Sequence, residues 1–513
     1  MRPSTSFRRL AVPSGLLAAA VLLAACGGGD SGDNVSPAAG AVSAGPASGS
    51  SSAGSAGQAQ AGGTLTFAVG SDAGCLDPQQ VGSNDSIYSV RQLVDSLTDQ
   101  DPETGELKPW LAESWEANDD ATEYTFTLRS GVTFSDGTAL DAEAVKANFD
   151  RVADLGVRGS LPKSYLSGYK STEVTGPLEF TVSFEAPTVQ FLQGTSTHSL
   201  GILAPKVAKL SDDERCAAPI GSGPFTVESY AKDDTLVLAK RADYDWPSDL
   251  ARHTGPAYLD TLEFRIVPES GVRTGSLQSG EVDAIGTISQ QDEEPLKGAG
   301  AQLPSRPNPG IPIGLWFNQG KAPTNDLAVR KALSESINRD EVAGAVYTTN
   351  TPAATSVLSS TTPGYADQGD LITFDPDDAK ATLDAAGWVA GADGIREKDG
   401  QRLSIDVVYF NNYAPSKPSL ELIQQQAKLV GIELKLTEHP IADVTSILQE
   451  GEFGATFSGL TRADPDILRT SFSTELANLY RLEPSELDKV LDAQAGEPDP
   501  DKRKELVAQA QQL

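Results

Sequence analysis

Three observations predict an α/β protein of more than one domain. Stretches of strand-period and helix-period hydrophobicity alternate from Thr64 onward, the pattern of strands joined by crossover helices. About 450 of the 513 residues follow residue 62, too many for one core and enough for two or three domains. No later stretch approaches the roughly 18 apolar residues of a membrane span, so the hydrophobic content has to be buried within folded lobes.

The elements follow in chain order. Residues 1–25 open with Arg2, Arg8 and Arg9 and continue in an apolar run too short to cross a bilayer, which reads as a cleavable signal peptide. Arg8-Arg9 leaves general secretion and twin-arginine export both open. Leu23-Ala24-Ala25-Cys26 matches the lipobox of the bacterial lipoprotein pathway, so Cys26 is the expected lipidation site and new N-terminus. Residues 26–62 are almost wholly Gly, Ala, Ser, Asp, Pro and Gln, a composition that cannot offset its ordering entropy. They are expected to form a flexible tether with a reach of roughly 30–35 Å, so that acyl chains alone hold the body outside the membrane.

Leu65–Val69 is the first predicted strand, ending at Gly70. Tyr124, Phe126 and Leu128 alternate with threonines along a second, and Val132–Phe134 runs into an Asp136-Gly137 turn. Thr138-x-x-Asp141 reads as a capping box before a helix bearing Val145 and Phe149. Leu178, Phe180, Val182 and Phe184 mark a strand stopped by Pro187. A hairpin is expected over 225–230 and 235–239, and a strand over 262–266. Further on, a helix is expected near 326–337, and another runs from Asp375 as N-cap and Pro376 to Gly387. A strand over 403–409, a helix over 420–430 closed by Gly431, and strands over 432–436 and 453–457 complete the pattern.

The formal charge is −31, or −34 without residues 1–25, which carry three arginines and no acidic residue. Nucleic-acid binding is excluded as a main task, because phosphate neutralisation needs a basic face. Beyond Cys26 the only cysteines are Cys75 and Cys216, expected to pair in an oxidising compartment and to make the segment between them an insertion. His198, His253 and His439 lie far apart with no metal-ligand spacing, so no metal site is expected. No nucleophile elbow or phosphate-cradling loop appears, and neither catalytic residues nor a cofactor are predicted.

Several blocks carry a resemblance. Trp115, Tyr124-Thr-Phe-Thr-Leu-Arg129, Gly131-Val-x-Phe134 and Asp136-Gly137-Thr138 lead into Asp141-Ala-x-x-Val145-Lys-x-x-Phe149. Gly221-Ser222-Gly223-Pro224-Phe225, Ser279-Gly280-Glu281-Val282-Asp283, Phe317-Asn318 and Val329-Arg330-Lys331-Ala332-Leu333 follow, then Pro376-x-x-Ala379-x-x-x-Leu383-x-x-Ala386-Gly387. In this order the chain resembles the extracytoplasmic solute-binding proteins of ATP-driven (ABC) importers, specifically the family 5 cluster for dipeptides, oligopeptides and nickel.

The resemblance implies an α/β, two-lobed clamshell of the periplasmic-binding-protein type, type II, with an extra inserted domain. The first lobe would comprise residues 63–105 and 217–312, the insertion 106–216 and the second lobe 313–513. Relatives return a last segment to the first lobe, and this chain is expected to lack it. The implied function is capture of peptides by a monomeric lipoprotein, periplasmic or on the outer face of the cytoplasmic membrane. Its partners would be permease subunits with cytoplasmic ATPases. A non-peptide solute such as an opine, sugar or metal chelate, and a sensing role, stay open; an extracellular hydrolase lacks its motifs.

The resemblance implies an aspartate near an Asp-Pro step as partner of a peptide ammonium. This stretch is shorter and offers Asp464 and Asp466, of which Asp464, beside Pro465, is the expected partner, with Arg462 that of a carboxylate. Ser71 and Asp72 follow the first strand, where α/β lobes bind ligands. Tyr409, Asn411 and Asn412 end another strand, and Trp316 and Asn318 lie near the crossover.

Overall fold

A computed structural model describes residues 60–513 except Ala218, Asn411, Asn412, Ile441 and Ala442; Cys26 and the predicted signal and tether up to residue 59 lie outside the described residues. The first strand, Thr64–Val69, pairs in parallel with Thr261–Ile266, Leu65 opposite Leu262 and Phe67 opposite Phe264. Ala284–Ile285 flanks it on the other side, and the antiparallel hairpin Phe225–Ala231/Thr235–Lys240 completes a five-stranded sheet. The helix Ser270–Ser279 stops at Gly280, whose φ of 75° is the left-handed cap that a side chain would strain.

Between its first and later strands the chain builds a separate antiparallel sheet from Ala112–Ala117, Glu123–Leu128, Glu179–Phe184 and Tyr169–Gly176. Alternation places Tyr124, Phe126, Phe180 and Val182 on one buried face, with Phe126 and Phe180 stacked 5.3 Å apart. The helix Ala142–Asp154 covers this face with Val145 and Phe149. It is capped by Asp141, whose side chain accepts from the Ala144 amide. Thr138 instead donates its hydroxyl to Asp136, so the expected capping box is an Asp cap behind a turn.

These residues share one apolar cluster with Leu93, Val94, Leu262 and Phe264 of the first lobe. The core is therefore continuous across residue 106. Where the chain re-enters that lobe, a Cβ on Gly221 or Gly223 would lie 2.0 Å from the Leu93 carbonyl oxygen or 2.5 Å from its carbon. Close backbone approach, not a special φ, demands glycine at both positions.

Cys75 and Cys216 form a disulfide spanning 141 residues, with Cα atoms 4.2 Å apart. Beside it Arg215, fully buried, donates to Asp77 (2.7 Å) and Gln79 (2.6 Å). At the junction with the inserted sheet, buried Asp95 accepts from the Trp246 indole (3.0 Å) and the Tyr244 hydroxyl (3.2 Å).

The second lobe is a sheet of Gly310–Phe317, Ala455–Thr461, Ser404–Phe410 and Glu433–His439, in that order. The last three run parallel and the first antiparallel to its neighbour. Both faces are covered: Ile405 and Val407 meet Leu333, Leu383 and Leu420, while Val408 and Phe410 pack with Trp316, Tyr480 and Leu491. This explains why Ser404–Phe410 reads as a nearly continuous apolar run. The helix Pro376–Ala385 is capped by Asp375 and ends before Gly387, at φ 86°.

Replacing both Cys75 and Cys216 by alanine is expected to cost about 2–5 kcal/mol of stability, read from urea unfolding of oxidised wild type and variant. Burial, only partly offset by its donors and by Arg91, lifts Asp95 from its usual 3.8 to about 6. The folded state then holds this proton more tightly than the unfolded chain, so stability falls as pH rises from about 4 to about 6, by up to about 3 kcal/mol. Asp95→Asn is expected to remove that fall, seen as the pH dependence of the difference in unfolding free energy from wild type.

Candidate functional site

In each sheet the parallel strands end on a common edge, where α/β lobes place their ligand loops. On the first lobe these loops are Gly70-Ser71-Asp72 and Gly286-Thr287, beside the helix Asn84–Val90; on the second they follow Phe410 and Thr461. Hydrogen bonds tie the second lobe to the rest of the chain at two places, once to the first lobe and once to the inserted segment. The Glu293 carboxylate, on the helix Gln290–Gly298, accepts the Thr349 amide (2.8 Å) and hydroxyl, and Gln290 reaches the Gly344 carbonyl. At the other flank Arg462 donates to the Ser164 hydroxyl (2.9 Å) and the Val189 amide to the Ala495 carbonyl (3.2 Å). The loops at these strand ends carry Ser71, half-buried Asp85 and exposed Tyr88 on the first lobe, and exposed Tyr413 and Leu460 with half-buried Arg462 on the second.

The predicted site residues divide sharply. Ser71 stands at the strand ends and donates to Asp85 (3.0 Å). Asp72 is adjacent, but its carboxylate accepts from the Tyr230 hydroxyl (2.8 Å) and the Gly74 and Asp233 amides, tying the loop to the hairpin turn. Beneath them a cavity of about 10 Å³ has room for at most one water.

Asp464 does not stand open as an ammonium partner. It is 4 % exposed, and both oxygens accept from Arg503, at 2.9 and 2.6 Å, on the helix Pro500–Gln512. A carboxylate this buried requires a cation, and tertiary folding supplies one 39 residues downstream. Trp316 is also core: it stacks on Phe472 at 5.3 Å and donates to the Ser458 carbonyl, on the face away from Ile405. Asn318 donates to the Gly451 and Phe453 carbonyls and accepts from the Gly320 amide. Tyr409 is 5 % exposed and donates to Glu438 (2.9 Å), which withdraws it from the ligand loops. Asn411 and Asn412 lie outside the described residues.

Arg462 is half-buried. Besides Ser164 it donates to Thr470 (3.2 Å), and its guanidinium lies 5.5 Å from the Tyr165 ring centre. Its Nε is buried without a partner, and among the described residues no carboxylate forms an ion pair with it. His198 is a core residue bonded to the Val81 carbonyl (2.9 Å), and burial pushes it down to about 4.

Asp85 and Tyr88 escaped the sequence reading. Their helix has only seven residues, and its buried positions are Ser86, Ser89 and Val90, too little apolar pattern to register.

Two α/β lobes bonded to each other near their strand ends define a clamshell binding protein. The family model "Bacterial extracellular solute-binding proteins, family 5 Middle" matches residues 106–475, and the chain belongs to that family. It is 30 % identical to the dipeptide-binding protein of Escherichia coli K12 over 80 % of this chain and 79 % of that one. With the nickel-binding periplasmic protein of the same strain it shares 28 % identity over 74 % of this chain and 73 % of the other. Among solved structures, an ABC transporter-associated periplasmic binding protein of Helicobacter pylori in complex with the peptide STSA superimposes with a TM-score of 0.72. Identity there is 25 %, covering 89 % of this chain and 91 % of the other.

Asp464→Ala strands the Arg503 charge in the interior and is expected to cost about 3–5 kcal/mol of stability. Cargo affinity per folded molecule should stay unchanged, a combination that urea unfolding and calorimetric titration separate.

Proposed function

We propose that this chain is the capturing component of an ATP-driven importer and that its cargo is peptide. The observation that carries the reading is the pair of contacts that join the two halves near their strand ends, Glu293–Thr349 on one flank and Arg462–Ser164 on the other. These bonds exist only when the lobes meet, so a solute touching both edges adds its contacts to theirs and shifts the population toward closure. The jaws in this reading are residues 63–105 with 217–312, carrying the insertion 106–216 on their shared core, on one side and 313–513 on the other. No bond of the cargo is made or broken.

The dipeptide-binding relative, 30 % identical over 80 % of this chain, supports peptide as cargo. Peptides suit such a site because their main chain supplies hydrogen-bonding groups whatever the side chains, and water fills the side-chain pockets. Arg462, with donors left after Thr470 and Ser164, is the proposed contact for a cargo carboxylate as the lobes close. Lipidation of Cys26, a tether over 26–62 and delivery to permease subunits complete the proposal on the sequence features described above.

A pool of di- to octapeptides is expected to raise the unfolding temperature and to shrink the radius of gyration in small-angle scattering. No change with any peptide pool, beside a clear change with a sugar or metal chelate, overturns the peptide assignment.

A further inference from the structure

With Asp464 occupied by Arg503, the second lobe offers no aspartate from the Asp464-Pro465-Asp466 step to a cargo ammonium; Asp466 is itself buried and paired with Arg469. The first lobe does offer a carboxylate. Asp85 is only half-buried, and among the described residues it accepts a single hydrogen bond, from Ser71 (3.0 Å), and takes part in no ion pair. The neighbouring Arg273 attracts the Asp85 charge from behind, but it spends its guanidinium on four carbonyls, those of Val267, Pro268, Gly286 and Thr287, and donates no hydrogen bond to Asp85.

Two glycines keep this carboxylate approachable. A Cβ on Gly70 would lie 3.2 Å from Asp85 Oδ2, and one on Gly286 would lie 3.7 Å from Oδ1. One turn along the same helix face, Tyr88 leaves 44 % of its surface exposed, its ring held 5.2 Å from Phe67. A carboxylate with free acceptor capacity beside an exposed, braced aromatic ring, at the strand ends of the first lobe, is a site for a protonated amine. The carboxylate supplies charge-assisted hydrogen bonds and the ring a cation–π face.

We infer that Asp85, with Ser71 and Tyr88, binds the protonated amino group of the cargo on the first lobe, opposite Arg462 on the second. The inference rests on the peptide reading and adds a polarity to it: amine toward Asp85, carboxylate toward Arg462. It also makes a free amine a condition of tight capture.

The test uses a pool of di- to tetrapeptides of Ala, Ser, Leu and Phe and the same pool N-acetylated, titrated calorimetrically into the folded protein. Wild type is expected to bind the free-amine pool about ten- to a hundredfold more tightly than the acetylated one. Asp85→Asn, which can still accept from Ser71, should bind both pools alike with an unchanged unfolding temperature. Tyr88→Leu should lose about threefold toward the free-amine pool only. Equal binding of both pools by wild type, or a preference that survives Asp85→Asn, overturns the amine site and leaves the peptide reading standing. Binding of neither pool overturns the peptide reading and the amine site together.

Discussion

Parallel pairing of Thr64–Val69 with Thr261–Ile266 is the constraint on which the architecture depends. Parallel neighbours cannot be joined by a tight turn, so the chain between them must leave the sheet edge and return in the same direction. Here that excursion contains a whole antiparallel sheet. Its return is fastened by the Cys75–Cys216 bond and by glycines 221 and 223 pressed against Leu93. The same constraint directs the strand ends of each lobe to one edge, where the ligand loops lie.

Within an acidic chain, buried arginines hold the segments that surround this frame. Arg241 reaches the Thr133, Phe134 and Ser222 carbonyls, and Arg273 gathers the loops behind Asp85. Arg396 joins Trp388 to Val430, while Arg503 locks Asp464. A guanidinium suits this work because its planar, permanently charged fork can satisfy several carbonyls from different segments at once. Each pair roughly breaks even against its desolvation, so its contribution is the placement of loops more than net stability.

Much of the fold was legible because it rests on local periodicity. Tyr124, Phe126 and Leu128 face one core as their alternation requires, and Asp375, Pro376 and Gly387 bracket their helix. Legibility was poorer wherever a polar side chain had two destinations open to it. Thr138 and Asp141 both look like caps, and only the path of the turn hands the helix to Asp141. Ser71 and Asp72 were both placed at the ligand edge, yet Tyr230, 158 residues away, absorbs the second.

The sequence by itself determined the α/β class, many of the strands and helices, and the family to which the chain belongs. Hydrophobic period, caps and turn glycines act over a few residues and leave their mark in the string. Only tertiary structure decided which charges stay free: it gave Asp464 to Arg503, turned Trp316 into the core and left Asp85 at the strand ends with a single donor. A carboxylate's availability depends on what lies within a few ångströms of it, and at Asp72 one such neighbour comes from 158 residues away.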